Sequence, residues 1–256
     1  MTQLYTETFG EGKPIVMVHG WAMHSGIWRN FAKELSKTFR VTVVDLPGHG
    51  HSQPIYPFSL ESVSRLLVEV IPDHHACWLG WSLGAEIVIE IASRFPERVS
   101  QLILLAGTPC FVGNDLWPGI QVKILDSFAE SLSLDSQATL LRFLSLQIKG
   151  ESNPKQALQE LKKSIFEYPA PDQRTLLEGL EILKQSDLRQ VFAEIKIPVA
   201  AILGELDTLV PVAAGENMQS LLPHMELATI SRAGHAPFLS HQGELVEAIC
   251  GFMETK

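Results

Sequence analysis

The run Gly80-Trp81-Ser82-Leu83-Gly84 sets a serine between two glycines, and Ser82 is the residue of this chain best placed for nucleophilic chemistry. A serine hydroxyl attacks a carbonyl only when a base takes its proton, and a carboxylate must hold that base in the right tautomer. An acid and then a histidine are therefore expected further along. Asp207 stands in Gly204-Glu205-Leu206-Asp207-Thr208-Leu209-Val210-Pro211, and His235 in Arg232-Ala233-Gly234-His235-Ala236-Pro237-Phe238. The order Ser82, Asp207, His235 is the one used where a serine rides a strand-to-helix elbow.

Acyl transfer also needs donors aimed at the developing oxyanion. The Leu83 amide, directly after the nucleophile and at a helix start, is one candidate. The Trp21 amide in His19-Gly20-Trp21 is the other, with Gly20 allowing close backbone approach and His19 bracing the loop. Other residues compete for these roles. Asp45 is the strongest rival acid, with Asp187 and Glu205 behind it. His49 and His51, in a turn after a strand, rival His235 as base, whereas His74, His75, His224 and His241 read as surface, loop or capping residues. Cys110 follows a strand but Pro109 precedes it and no helix begins after it, so it reads as a buried or mouth-lining thiol. No Cys-x-x-Cys or Gly-x-Gly-x-x-Gly run is present, and neither a metal nor a cofactor is expected.

These residues need a scaffold to bring them together. Short apolar runs at 15–18, 41–44, 76–79 and 102–105 read as strands buried on both faces of a parallel sheet. Segments of helical period at 28–35, 60–71 and 83–94 lie between them, so the pattern is α/β. It stops after Pro109 and resumes with strands at 199–203 and 227–230 and a last helix at 243–252. The reading is a sheet domain at 1–109 and 186–256 with a helical cap inserted at 110–185.

At 256 residues, 46% hydrophobic and 19% charged, the chain suits one large domain with an elaboration. Its mean hydropathy is +0.12. No 18-residue apolar run and no basic-then-apolar N-terminus appear, so neither membrane spanning nor secretion is expected. The three widely spaced cysteines fit a reducing cytoplasm. A net charge of −9 disfavours nucleic acid and anionic membrane as partners. A monomer acting on a small ester or acyl chain is expected.

His19-Gly20-Trp21, the run from Asp45 to Ser52 and the serine elbow together resemble the α/β-hydrolase superfamily. Longer runs are similar to one family within it, the BioH-type pimeloyl-[acyl-carrier protein] methyl ester esterases of biotin synthesis. They are Trp78 to Gly84, Pro109-Cys110-Phe111, Trp117-Pro118-Gly119-Ile120, Arg142-Phe143-Leu144 with Leu146-Gln147, Gly179 to Leu183, and His235-Ala236-Pro237-Phe238. The resemblance implies an α/β-hydrolase fold with a mostly parallel sheet, flanking helices and an inserted helical cap. It implies hydrolysis of a carrier-linked methyl ester by Ser82, His235 and Asp207, with Trp21, Ser82, Leu83, His235 and Phe143, Leu144, Ser145, Leu146 and Gln147 contacting substrate. An acyl-carrier protein is acidic, and between Ala138 and Ile165 five basic residues (Arg142, Lys149, Lys155, Lys162, Lys163) face two acidic ones. Ala138, Lys155 and Gln159 stand where that family's cap offers arginines, which puts the strength of carrier binding in question. A broad short-chain carboxylesterase, a carbon–carbon bond hydrolase or haloperoxidase-like enzyme, and a non-catalytic binding protein of the same fold stay open.

Overall fold

The structure is a computed structural model that describes residues 2–148 and 154–254. Seven strands form one sheet: β1 (Thr6–Phe9), β2 (Pro14–Val18), β3 (Arg40–Val44), β4 (Ala76–Trp81), β5 (Val99–Leu105), β6 (Val199–Gly204) and β7 (Glu226–Ile230). Their spatial order is β1-β3-β2-β4-β5-β6-β7. β1 pairs antiparallel with β3, and every other pairing is parallel. β4 and β6 are buried along their whole length, and β2 beyond Pro14, as expected of parallel strands covered on both faces.

The helices are α1 (Arg29–Leu35), α2 (Leu60–Val70), α3 (Leu83–Arg94), α4 (Val122–Leu134), α5 (Ser136–Gln147), α6 (Pro154–Phe166), α7 (Gln173–Gln185), α8 (Arg189–Ala193), α9 (Val212–Leu221), α10 (Pro237–Ser240) and α11 (Gln242–Glu254). α2, α3, α8 and α9 pack side by side as one layer, and α1 and α11 form the other. Between β5 and β6 the cap helices α4 to α7 pack on one another, with α7 resting on α3. The chain leaving for the cap and the chain returning from it are tied where the Leu188 amide donates to the Pro109 carbonyl at 2.8 Å.

Strand order decides what meets at the site. β2 and β4 are neighbours, with Val18 opposite Gly80, and the order of the chain reverses between them. The loops that follow these two strands therefore leave the carboxyl edge of the sheet together, the usual place for a ligand crevice. β6 and β7, with Gly204 opposite Ile230, deliver the loops of Asp207 and His235 in the same way.

The sequence reading recovered the inner strands but not β1. β1 is four residues long with Thr6, Glu7 and Thr8 exposed, so it shows no apolar run. β4 runs two residues beyond the segment read from hydropathy, because Gly80 and Trp81 keep sheet register against Leu104 and Leu105.

A methyl group added at Gly84 would overlap the Val18 and His19 carbonyls, whereas one at Gly251 in α11 meets nothing within 4 Å. Gly84→Ala is expected to lower the urea-unfolding free energy by about 2 kcal/mol or more, and Gly251→Ala to raise it by about 0.5–1 kcal/mol. Equal effects would contradict the close approach of α3 to β2.

Candidate active site

Ser82 occupies the turn between β4 and α3 with φ 56° and ψ −119°, a left-handed backbone that costs a non-glycine residue roughly 1–3 kcal/mol. The turn is held by its surroundings. The Ser82 amide donates to Leu105 O at 3.1 Å, and Ser82 O accepts from the Ala85 amide at 2.9 Å. A Cβ at Gly80 would overlap the Gly84 carbonyl, so both glycines are needed for β4 and α3 to meet this closely. The Ser82 side chain makes no capping bond to α3, which leaves its hydroxyl for other chemistry.

Asp207 and His235 come together from the loops after β6 and β7. Asp207 Oδ1 accepts the amides of Leu209 at 2.8 Å and Val210 at 3.1 Å, which orients the carboxylate. Its Oδ2 lies 2.7 Å from His235 Nδ1, and both side chains are buried. That contact places the ring proton on Nδ1 and leaves Nε2 as the acceptor nitrogen. Nε2 has no hydrogen-bond partner among the described residues, Ser82 included; such contacts often tighten only when substrate is bound.

Trp81 links the two halves of the site. Its indole Nε1 donates to the His235 carbonyl at 2.8 Å, and its ring packs on His235 and Phe238. The residue before Ser82 thus ties the loop of His235 to the elbow. The sequence reading did not single it out; its only signal was a large aromatic with a polar N–H beside the serine.

Leu83 opens α3, so its amide has no acceptor within the helix. The loop after β2 passes over the elbow so closely that a Cβ on Gly20 would lie 3.1 Å from Ser82 Cβ. Next to it the Trp21 indole donates to Leu176 O at 2.9 Å and meets the Phe143 ring edge-on at 4.8 Å. Trp21 therefore joins the loop after β2 to cap helices α5 and α7. Phe143, Leu144 and Gln147 are buried on the inner face of α5, Leu146 is half-buried, and neither amide atom of Gln147 has a partner among the described residues. Ser145 is a correction to the sequence reading: helical period turns it outward, where it is exposed and its hydroxyl donates to Leu141 O at 3.0 Å.

The rival residues have other partners. Asp45 accepts the amides of Ser25 at 2.6 Å and His51 at 2.8 Å and so closes its own loop. Glu205 holds Ser231 and the Arg232 amide, and Asp187 pairs with Arg189. His19 Nε2 accepts the Leu46 amide at 2.9 Å while Nδ1 lies 2.8 Å from Gly20 O, and burial drives its basicity far down. It braces the loop that carries Trp21. Burial pushes the Cys110 thiol up, away from a reactive thiolate. Among the described residues no His, Cys, Asp and Glu cluster could hold a metal ion.

On the outside of the cap, Arg142, Lys155 and Lys163 are exposed and Lys162 is half-buried. Among the described residues none of the four forms an ion pair, and Lys149 lies outside the described residues.

Three comparisons place this arrangement among known proteins. Residues 13–242 match the model of the alpha/beta hydrolase fold. The chain is 40% identical over 252 residues to the pimeloyl-[acyl-carrier protein] methyl ester esterase of Aliivibrio fischeri, covering 98% of each chain. It is 42% identical over 238 residues to the protein of the same name from Methylococcus capsulatus, covering 93% of each. Among solved structures, an esterase from Exiguobacterium antarcticum superposes with a TM-score of 0.90 at 22% identity, over 99% of this chain and 96% of that one.

Like His19, His49 adds acid sensitivity to the buried loops after β2 and β3. Burial pushes its imidazole down to about 4 from an ordinary 6.5. The unfolded chain therefore takes up a proton that the folded one refuses, and stability is lost as pH falls from 6.5 to about 4. The full shift is worth about 3 kcal/mol. His49→Phe, which keeps the packing against Phe58, is expected to flatten the fall in unfolding free energy over that window. An unchanged slope would contradict the burial.

Proposed function

The chain belongs to the alpha/beta hydrolase fold family as a serine hydrolase of the esterase/lipase-like superfamily, and we propose that it hydrolyses the methyl ester of pimeloyl-[acyl-carrier protein]. The observation that carries the catalytic part is the buried Asp207–His235 pair, tied through Trp81 to the strained turn of Ser82. The substrate rests on full-length similarity to relatives of that name, together with the cap's buried apolar residues and its exposed Arg142, Lys155 and Lys163.

In this reading His235 Nε2 takes the Ser82 proton as Oγ attacks the ester carbonyl. The Leu83 and Trp21 amides receive the oxyanion, each such donor being worth about 3–4 kcal/mol of barrier. Collapse of the tetrahedral intermediate breaks the bond to methoxide, which leaves as methanol with the proton from His235. Water then gives a proton to His235 and attacks the acyl-enzyme, and collapse of the second intermediate breaks the acyl bond to Ser82 Oγ, which takes that proton back from His235; the released acid loses its own proton to solvent. Asp207 keeps Nδ1 protonated throughout and balances the imidazolium.

Trp21, Leu83, Phe143, Leu144 and Leu146 supply apolar surface for a methylene chain, and Gln147 supplies a buried amide that a substrate oxygen or N–H would satisfy. Arg142, Lys155, Lys162 and Lys163, with Lys149, supply positive charge to an acidic carrier. A place in biotin synthesis in the cytoplasm follows from this substrate. The lysines on the cap, which lack the bidentate fork of arginine, favour as a second reading a broad short-chain carboxylesterase.

Ser82→Ala is expected to cut kcat on a p-nitrophenyl ester by roughly 10⁴-fold or more with an unchanged Tm; near-normal turnover would overturn the nucleophile. Alanine at Arg142, Lys155, Lys162 and Lys163 together is expected to raise KM for the carrier-linked methyl ester roughly tenfold and to leave kcat/KM on free methyl pimelate unchanged. Equal turnover of both esters, insensitive to these substitutions and to salt, would favour the broad esterase.

A further inference from the structure

Glu86 is a buried acid that the reaction leaves unused. It lies one turn into α3 from Ser82, is fully buried, and neither carboxyl oxygen has a hydrogen-bond partner among the described residues. Burial pushes its carboxyl well above the usual carboxylate range, because a charge there would have neither water nor a counter-ion.

Its place is the junction of cap and sheet domain. On the same side of α3, Leu83 meets Gly179 of α7 and Glu90 lines a cavity with Ile182, Gln185 and Ser186, so Glu86 lies between them toward the chain returning from the cap, while Ala85 lies against Gly107 on the chain leaving for it. Cys110 adjoins Pro109, whose carbonyl binds the returning chain at Leu188. α3 also packs against α7 and α8, which flank that return.

The charged groups on the elements packed around α3 are engaged elsewhere or exposed. On α3 itself Glu90 pairs with Arg94, and on α2 Glu61 pairs with Arg65 and Arg94 while Glu69 is exposed. On α7 Glu178 pairs with Arg174 and Glu181 with Lys184, and at α8 Asp187 pairs with Arg189. Before β5, Glu97 is exposed and Arg98 donates to the carbonyls of Val68 and Ile71. β2, β4 and β5 bring one titratable side chain, the buried Cys77 thiol.

We propose that Glu86 is a pH-sensitive catch on the cap: neutral, it lets the hinge at Pro109 and Leu188 stay shut, and once ionised it draws water into that hinge and releases the cap. A carboxylate with no counter-ion must be hydrated, and the connection between two packed units opens at lower cost than the sheet beneath it. The sign follows from linkage. The folded form holds this proton more tightly than the unfolded one, so the contribution to stability is complete below the ordinary value of 4.5 and is lost as pH rises through the folded range.

Hydrogen exchange read by mass spectrometry on the native protein, Glu86→Gln and Glu86→Leu tests this between about pH 6 and about pH 9, with rates corrected for intrinsic exchange. In the native protein, amides at 110–113 and 182–189 are expected to lose protection about tenfold as pH rises, while β4 and β5 keep theirs; both variants should stay flat. The catch is overturned if either folded variant shows the same pH-dependent loss. It is equally overturned if β4 and β5 lose protection in step with the hinge, since that is general destabilisation and not release of the cap.

Discussion

Backbone touches backbone where β4 becomes α3. A side chain at Gly80 would collide with Gly84, and one at Gly84 would collide with the end of β2, so three elements share a space that admits no Cβ. That contact forces Ser82 into its left-handed turn and puts the first amide of α3 and the loop after β2 next to the same hydroxyl. The strain of roughly 1–3 kcal/mol at Ser82 is sustained by the pairing of β4 with β2 and β5 and by the burial of α3. A looser packing would let the serine relax and move the first amide of α3 and the loop after β2 away from it.

The second half of the site is joined to the first by one aromatic residue. Trp81 is buried among Trp28, His235 and Phe238, and its indole holds the His235 carbonyl. The position of His235 is thus set by the strand that leads into Ser82 as well as by Asp207. Trp21 plays a parallel part toward the cap, joining the loop after β2 to α5 and α7 through Phe143 and Leu176. Two tryptophans therefore couple the sheet edge to His235 on one side and to the cap on the other. Each spends its single N–H on a backbone carbonyl, so neither leaves a buried donor unpaired.

The inner strands were legible in the sequence because strands covered on both faces are written as continuous apolar runs. β1 was not, since an edge strand of Thr-Glu-Thr-Phe has little to bury. The candidate site was legible as an ordered set of residue types, and the structure brings Asp207 to His235 and Gly20 over Ser82. The roles of Trp81, Asp45 and Glu86 were not. Whether a tryptophan N–H reaches a carbonyl over 150 residues away, or a helical glutamate faces inward without a partner, depends on tertiary packing that local pattern does not encode. Ser145 shows the converse, for a run of five residues cannot all face one side of a helix.

The central claim is that Ser82 is a nucleophile activated by His235. Its most direct measurement is labelling of the native protein with a fluorophosphonate, the adduct being located by peptide mass spectrometry. The account predicts one adduct, on Ser82, that forms at least about a hundredfold more slowly in His235→Ala. An unlabelled folded protein, or an adduct on another residue with Ser82 unmodified, would contradict it.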